Sequence, residues 1–440
     1  MNRNFILNNK DKIKTFSKSN QLHKRALKSI PLATQTFSKS NLQWPLGASP
    51  MFIKKGKGCN IYDVDNNKYI DYLLALMPII LGYGDTDVNN AVKKQMRDGI
   101  VFSMSHPIEL KLAEQLIKLI PYAEMVRFGK NGSDALSAAI RLARAYTKKD
   151  NILVSGYHGW HDWYIGSTTR DLGVPNVVKK LTQKFVFNDM HSLERILKKH
   201  DYNFAAIVLE PDGFIAPNPE YLQDIRSICD KHGIVLIFDE IVCGFRTHIG
   251  GAASEYGVHA DIGCFGKALA NGYPLSAVVG KREIMNKMNQ VFVSGTFSGE
   301  TLSIAAALAT LKKLKKENIP NKLKSLGKKL YNESNRIIVS KGFAEIMKFE
   351  GNYWWPRLSI KETPIDNNLF ITLLRQQFIA NGLFMGSSYN LCLAHTKNNI
   401  CELTLNAFTK TLDDMLYILN SNDPKKFIKG GLVEPVFKIR

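Results

Sequence analysis

Between about residue 90 and residue 315, short apolar runs alternate with amphipathic helical stretches. No other feature of the chain constrains its fold as strongly. Ile152 to Ser155, Phe204 to Leu209, Ile234 to Phe238 and Ile262 to Phe265 are short and rich in β-branched or aromatic residues, which suits strands buried on both faces. Between them, Ser133 to Thr147 places Leu136, Ala139, Ile140 and Ala143 on one helical face, and Tyr221 to His232 does so with Leu222, Ile225 and Ile228. Strand–helix alternation of this kind predicts an α/β domain with a mainly parallel sheet and helices on both faces.

The rest of the chain is read around that block. With 440 residues, 45% of them apolar, a second and smaller domain is expected. Residues 1–40 are polar and basic and read as an arm, helical near Gln21 to Lys28. Residues 41–90 are assigned to the small domain. There the turn Asp65-Asn66-Asn67 separates two apolar runs, as in a hairpin or small meander. Residues 91–320 form the large domain, and 321–440 the C-terminal part of the small α+β domain. Helices are predicted at Asp366 to Asn381, stopped by Gly382, and at Ile400 to Asn420.

Composition excludes several classes. The longest apolar stretch, Tyr72 to Leu81, contains Pro78 and is too short to span a bilayer, so no membrane role is expected. The N-terminus lacks the long apolar segment of a secretory signal. The net charge of +20 is spread along the chain with no zinc-finger or RNA-binding signature. It favours anionic ligands rather than a nucleic-acid partner. Six cysteines without a CxxC pair predict reduced thiols, a cytoplasmic location and no zinc site.

Four segments of the large domain carry chemistry. Gly129-Lys130-Asn131-Gly132-Ser133 precedes a helix, where Ser133 can act as a cap and the first amides can hold an anion. Taken alone, a plain capped helix after a turn explains it better. Tyr157-His158-Gly159-Trp160 follows a strand end, which places an aromatic ring in the ligand crevice of a parallel sheet. His158 and His161 lack a third partner for a metal. Asp239 and Glu240 end the Ile234 to Phe238 strand, where a carboxylate can face a cationic heterocycle or simply cap a helix. Lys267 follows another strand and a glycine. A desolvated lysine there supplies the neutral amine that condenses with an aldehyde; a solvated loop lysine is the alternative.

These segments follow one another in order, with Lys267 twenty-eight positions after Asp239. In that order, together with NGSDALSAAIRLARAYT, GYHGWHDW, HGIVLIFDEIVCGFR, FGKALANGYPLSAVVGK and GTFSGETLSIAAALATL, the chain resembles the class-III aminotransferases from about residue 45 to 420. Among them it is most similar to glutamate-1-semialdehyde aminomutase and its aminotransferase-like relatives. The resemblance implies pyridoxal-enzyme fold type I, with a seven-stranded sheet in the large domain, and pyridoxal 5′-phosphate as cofactor. It implies that Lys267 forms the internal aldimine and shuttles the proton, that Asp239 pairs with the pyridine nitrogen, and that Tyr157 stacks on the ring. Gly132 and Ser133 would hold the phosphate, with His158 and Glu210 beside the cofactor. Thr296 would reach the phosphate of a neighbouring subunit, which implies a homodimer. The partners implied are a small amino donor and a carbonyl acceptor.

The chain also departs from that pattern. Aminomutases carry an Arg beside Gly-Val-Asn-Ser-Pro; here Pro45-Leu46-Gly47-Ala48-Ser49-Pro50 has none, and no bidentate anchor for a substrate carboxylate. The loop after the YHG motif is short, Leu73 to Met77 replaces a family Trp, Ile215 stands for a Glu, and Val242 for a Gln. These differences favour transfer of an amino group to an aldehyde or ketone, with surface-sugar or polysaccharide assembly as one setting. The aminomutase reaction making 5-aminolevulinate is the alternative. A cofactor-fold regulator that binds nucleic acid is the distant one.

Overall fold

The computed structural model describes residues 14–434. The first thirteen residues of the basic arm and the last six of the chain lie outside them. The chain divides into two compact units, one formed by 14–74 and 326–434, the other by 75–325.

The larger unit is built on a seven-stranded sheet ordered β4-β10-β9-β8-β7-β5-β6. Its strands are β4 (Met125–Gly129), β5 (Ile152–Ser155), β6 (Thr182–Lys184), β7 (Ala206–Leu209), β8 (Val235–Glu240), β9 (Ile262–Phe265) and β10 (Ser276–Gly280). β10 alone runs antiparallel, to both β4 and β9; the pairs from β9 across to β6 are parallel. This is the mainly parallel α/β architecture of fold type I. Strands β5, β7, β8 and β9 are buried at every position, so their sequences are continuous apolar runs rather than alternating ones. The Gly132–Thr147 helix buries Leu136, Ala139, Ile140 and Ala143 in a core shared with Val154, Val208, Ile237 and Cys264. The Tyr221–His232 helix has the bounds its periodicity predicts and stops at Gly233, whose φ of +59° is the left-handed cap that glycine adopts freely.

The other unit carries a four-stranded sheet of β1 (Ile53–Lys57), β2 (Asn60–Asp63), β3 (Lys68–Asp71) and β13 (Leu383–Phe384), and a hairpin of β11 (Met347–Glu350) and β12 (Arg357–Ile360). The expected turn after Asp63 joins β2 to β3, with Asn66 left-handed. The helix expected near Gln21 begins earlier, at Ser17, and ends at Ala26. The cause lies far along the sequence: Asp65 accepts from the Lys18 and Ser19 amides, each at 2.9 Å, and so caps the helix start. The Asn367–Ala380 helix is capped by Asp366, which accepts from Leu369 N at 2.9 Å, and the chain leaves it through Gly382 at φ +85°. Trp354 is buried in this unit. No described helix is long and apolar enough to cross a membrane.

Candidate active site

Parallel strands present their carboxyl ends on one edge of the sheet, where α/β ligands bind. β5, β7, β8 and β9 end there in Ser155, Leu209, Glu240 and Phe265, and the residues predicted from the sequence follow directly.

Asp239 is 3% exposed. Its Oδ1 accepts from the Ile241 amide at 3.1 Å, and its Oδ2 lies 2.7 Å from His158 Nδ1. His158 is itself buried, and its Nε2 lies 3.1 Å from the Ser155 carbonyl. A carbonyl oxygen only accepts, so Nε2 carries a hydrogen. The short contact on the other side of the ring ties Nδ1 to Oδ2. His158 thus locks the carboxylate in place.

Glu210, just beyond β7, accepts from the Tyr157 amide at 2.9 Å. Gly156, at φ +110°, makes that approach feasible, because a Cβ would meet Glu210 Oε1 at 2.8 Å. Burial pushes the Glu210 carboxyl up, the Asp239 charge adds to the rise, and His158, the Tyr157 amide and Lys267 oppose it. Tyr157 is half exposed and stands edge-on to Tyr164 at 5.7 Å.

Lys267 opens a 3-10 turn, Lys267–Ala270, immediately after β9. It adopts φ +34°, in the left-handed region unusual for a lysine. The residue keeps some exposed surface, yet burial is the main influence on its amine and pulls its pKa below the usual lysine range. Asp239 and Glu210 pull upward, and Arg246 pulls down. A lysine so placed yields a neutral, nucleophilic amine more readily than a solvated one. The chain therefore brings Lys267, Asp239, Glu210, His158 and Tyr157 into one cluster.

The helix start needs a correction. Ser133 is not its cap. The helix begins at Gly132 with Asn131 as N-cap, and the Asp134 carboxylate accepts from the Asn131 and Lys130 amides at 2.7 and 3.2 Å. Ser133 Oγ instead accepts from Trp160 N at 3.4 Å. The Tyr157–Trp160 loop packs so closely there that a Cβ at Gly159, φ +94°, would meet Ser133 Oγ at 2.3 Å. The first amides of a sixteen-residue helix thus sit beside the loop that carries Tyr157 and His158. The Gly132 and Ser133 amides have no acceptor inside the helix, whereas the Asp134 and Ala135 amides donate to the Asn131 carbonyl at 3.1 and 3.3 Å. Anion-binding amides, a desolvated amine and a buried carboxylate are the donor set that a phosphorylated, cationic, aldehyde-bearing heterocycle requires, so the residues fit pyridoxal phosphate.

Thr296 is not brought to this cluster. It lies exposed in the 291–300 segment beside Phe297. His161 bonds Ser137 Oγ at 2.6 Å instead of sharing a ligand with His158. Among the described residues no group of three His, Cys, Asp or Glu side chains could hold a metal. Two residues that sequence reasoning passed over belong near the site: Arg246, which acts on Lys267, and Asn271, which follows the lysine turn. The available signal was a charged or amide side chain inside the otherwise apolar and small-residue runs CGFR and KALANG.

The aminotransferase class-III family model matches residues 45–349. A 3-aminobutyryl-CoA aminotransferase of Cloacimonas acidaminovorans is 35% identical over 386 residues, covering 85% of this chain and 91% of that protein. A glutamate-1-semialdehyde 2,1-aminomutase of Acetivibrio thermocellus is 37% identical over 354 residues, covering 76% and 80%. In structure, FumI of Sphingopyxis sp. MTA144, solved in its PLP internal aldimine form, superposes with a TM-score of 0.87 at 26% identity, covering 94% of this chain and all of that one. The chain belongs to the class-III aminotransferases, enzymes that depend on pyridoxal phosphate.

Proposed function

We propose that this chain is an aminotransferase that delivers an amino group to an aldehyde or ketone bearing no free carboxylate beside the reacting carbon. The observation that carries this reading is the desolvated Lys267 amine set among Asp239, Glu210 and the His158-locked carboxylate.

Lys267 would hold the cofactor through its amine, and that amine is the group placed to move a proton to and from the carbon that bears the transferred amino group. Bound pyridoxal phosphate supplies an electron sink for the carbanion formed there. Asp239 would pair with the ring nitrogen, and His158 fixes that carboxylate. Tyr157 would cover one ring face. Gly132 and Ser133 would hold the phosphate with backbone amides and the Ser133 hydroxyl. Glu210 fixes the Tyr157 backbone through its bond to the amide.

Substrate class rests on the missing Arg at 45–50, the apolar 73–77 stretch and Ile215. A keto-sugar in surface-polysaccharide assembly and a 3-oxoacyl thioester both meet that description; the second is favoured by the relative that acts on 3-aminobutyryl-CoA. The alternative, glutamate-1-semialdehyde 2,1-aminomutase, draws on the relatives of that name. A screen of single amines, following loss of the cofactor's visible band as it becomes aminated, identifies the donor. Turnover of the semialdehyde with no added donor would replace our reading with the aminomutase one.

A second copy completes the site in this reading. Thr296 is exposed, and Phe102, Met104, Phe292 and Phe297 stand exposed beside it in sequence or on neighbouring segments that a partner would cover. Sedimentation of the holoenzyme as a monomer overturns this assignment. Six free cysteines support a cytoplasmic setting for the enzyme.

A further inference from the structure

Arg246 is 2% exposed and ranks among the largest fully buried side chains of the chain. A guanidinium keeps its proton in any protein environment, so a fixed positive charge lies inside this unit. Burying a charge is expensive unless its surroundings are built to hold it.

The local sequence aims it. β8 ends at Glu240 and the chain turns at once, with Gly244 N bonding Glu240 O at 2.9 Å and Arg246 N bonding Cys243 O at 2.9 Å. Gly244 has no room for a side chain, since a Cβ would meet Glu240 O at 2.5 Å and the Phe265 ring at 2.7 Å. Phe245 is fully buried in a left-handed conformation. Arg246 emerges from this turn with its Nη2 donating to the Met77 carbonyl. Its charge also acts on the Lys267 amine, which Asp239, Glu210 and Cys243 influence as well.

The strap that receives Arg246 is strained. Ala75, Leu76 and Met77 are consecutive left-handed residues with φ of +54°, +73° and +77°, and none is glycine. Such conformations persist only where the surroundings enforce them. Farther along, Leu81 N donates to Asn271 Oδ1 at 2.8 Å, Asn271 Nδ2 donates to Gly82 O at 3.1 Å, and Ile79 presses on Gly272, where a Cβ would lie 2.6 Å from its Cδ1. The strap is therefore fastened at one point by the residue whose charge acts on Lys267 and at another by the loop that follows Lys267. A neutral side chain would have satisfied the Met77 carbonyl equally well. A cation adds what a neutral group does not: it disfavours a proton on the neighbouring nitrogen.

We propose that Arg246 is a positioning residue of the amino-transfer centre: it fastens the Ala75–Met77 strap beside the Lys267 loop and sets a permanent positive charge against the amine. The proposal rests on the reading of Lys267 as the cofactor-holding residue. Removing the charge lets the Lys267 nitrogen hold its proton to higher pH.

The test compares holoenzymes of the parent, Arg246→Lys, Arg246→Met and Arg246→Gln. Borohydride reduction with peptide mapping first locates the cofactor. Cofactor on a lysine other than Lys267 overturns the underlying reading together with the proposal. With cofactor on Lys267, two readouts follow: the pH midpoint of the bound cofactor's absorbance, and hydrogen exchange of residues 75–82. Either neutral variant that folds is expected to raise the midpoint by about one pH unit and to speed strap exchange by roughly tenfold. Arg246→Lys, which keeps a charge and a donor, is expected to restore both. A neutral variant that titrates and exchanges like the parent overturns the proposal alone.

Discussion

Two buried histidines, each 1% exposed, sit in the two units of this chain, and their surroundings are opposite in kind. His158 has a carboxylate 2.7 Å from one ring nitrogen and a carbonyl 3.1 Å from the other. His395 lies flat on the Tyr72 ring at 4.4 Å, and its Nδ1 accepts from Cys392 N at 3.1 Å. Burial pushes the His395 ring down to about 3, against a weaker upward pull from the Asp71 backbone. Both rings are desolvated; only one is supplied with charge. The contrast teaches that burial alone does not decide what a ring does; its bonding partners do. At the edge of the seven-stranded sheet the ring is tied to a carboxylate, whereas in the other unit burial keeps a polar ring neutral and it serves packing.

The sharpest way to break that contrast is to remove the amine it is built around. Lys267→Ala is expected to abolish covalent cofactor retention and to cut turnover by about 10⁴-fold or more, since the proposed cofactor link and proton carrier are lost together. Absorbance after gel filtration and single-turnover kinetics measure it. Asp239→Asn keeps the shape but not the charge proposed to pair with the ring nitrogen, and a loss of about 10³-fold in kcat is expected. His158→Gln retains Asp239 and removes only its lock. We expect about a tenfold loss in kcat with KM for the amino donor nearly unchanged; a loss as large as that of Asp239→Asn would mean that His158 does more than orient the carboxylate.

How much of this was legible in the sequence follows from the range of the forces involved. The strand ends bearing Asp239 and Lys267 were legible because a strand buried on both faces is an unbroken apolar run, and any charge at its end stands out. The Tyr221–His232 helix and the Asp366 cap were legible because their signals lie within a few residues. Ser133 was misread as a cap because Asn131 and Asp134, two better capping residues on either side of it, took that role. Arg246 and Asn271 were missed because their partners, Met77 and Leu81, lie 169 and 190 positions away. The left-handed Ala75–Met77 strap left no mark at all. Left-handed turns are read from glycine and asparagine, and this one contains neither.

The smallest effect on catalysis, and the one that tests the neutral side of the contrast, belongs to His395. Its pKa is lower in the folded chain, about 3, than the 6.5 of an exposed ring. Above about pH 6.5 the ring is neutral folded or unfolded and contributes no pH dependence. As pH falls below 6.5 the unfolded chain takes up a proton that the folded chain refuses, so stability declines by about 1.4 kcal/mol per unit until the folded ring titrates near 3. Between pH 7.5 and 5 this one residue is therefore expected to withdraw about 2 kcal/mol. His395→Gln keeps an acceptor for the Cys392 amide and lacks the titration, so its unfolding free energy in urea should decline over that range by about 2 kcal/mol less than the parent's. Its turnover at pH 7.5 should match the parent's within about twofold, because its partners Tyr72 and Cys392 are not residues of the Lys267 cluster. A tenfold loss of turnover in His395→Gln, with His158→Gln nearly unaffected, would reverse the assignment of roles to the two rings.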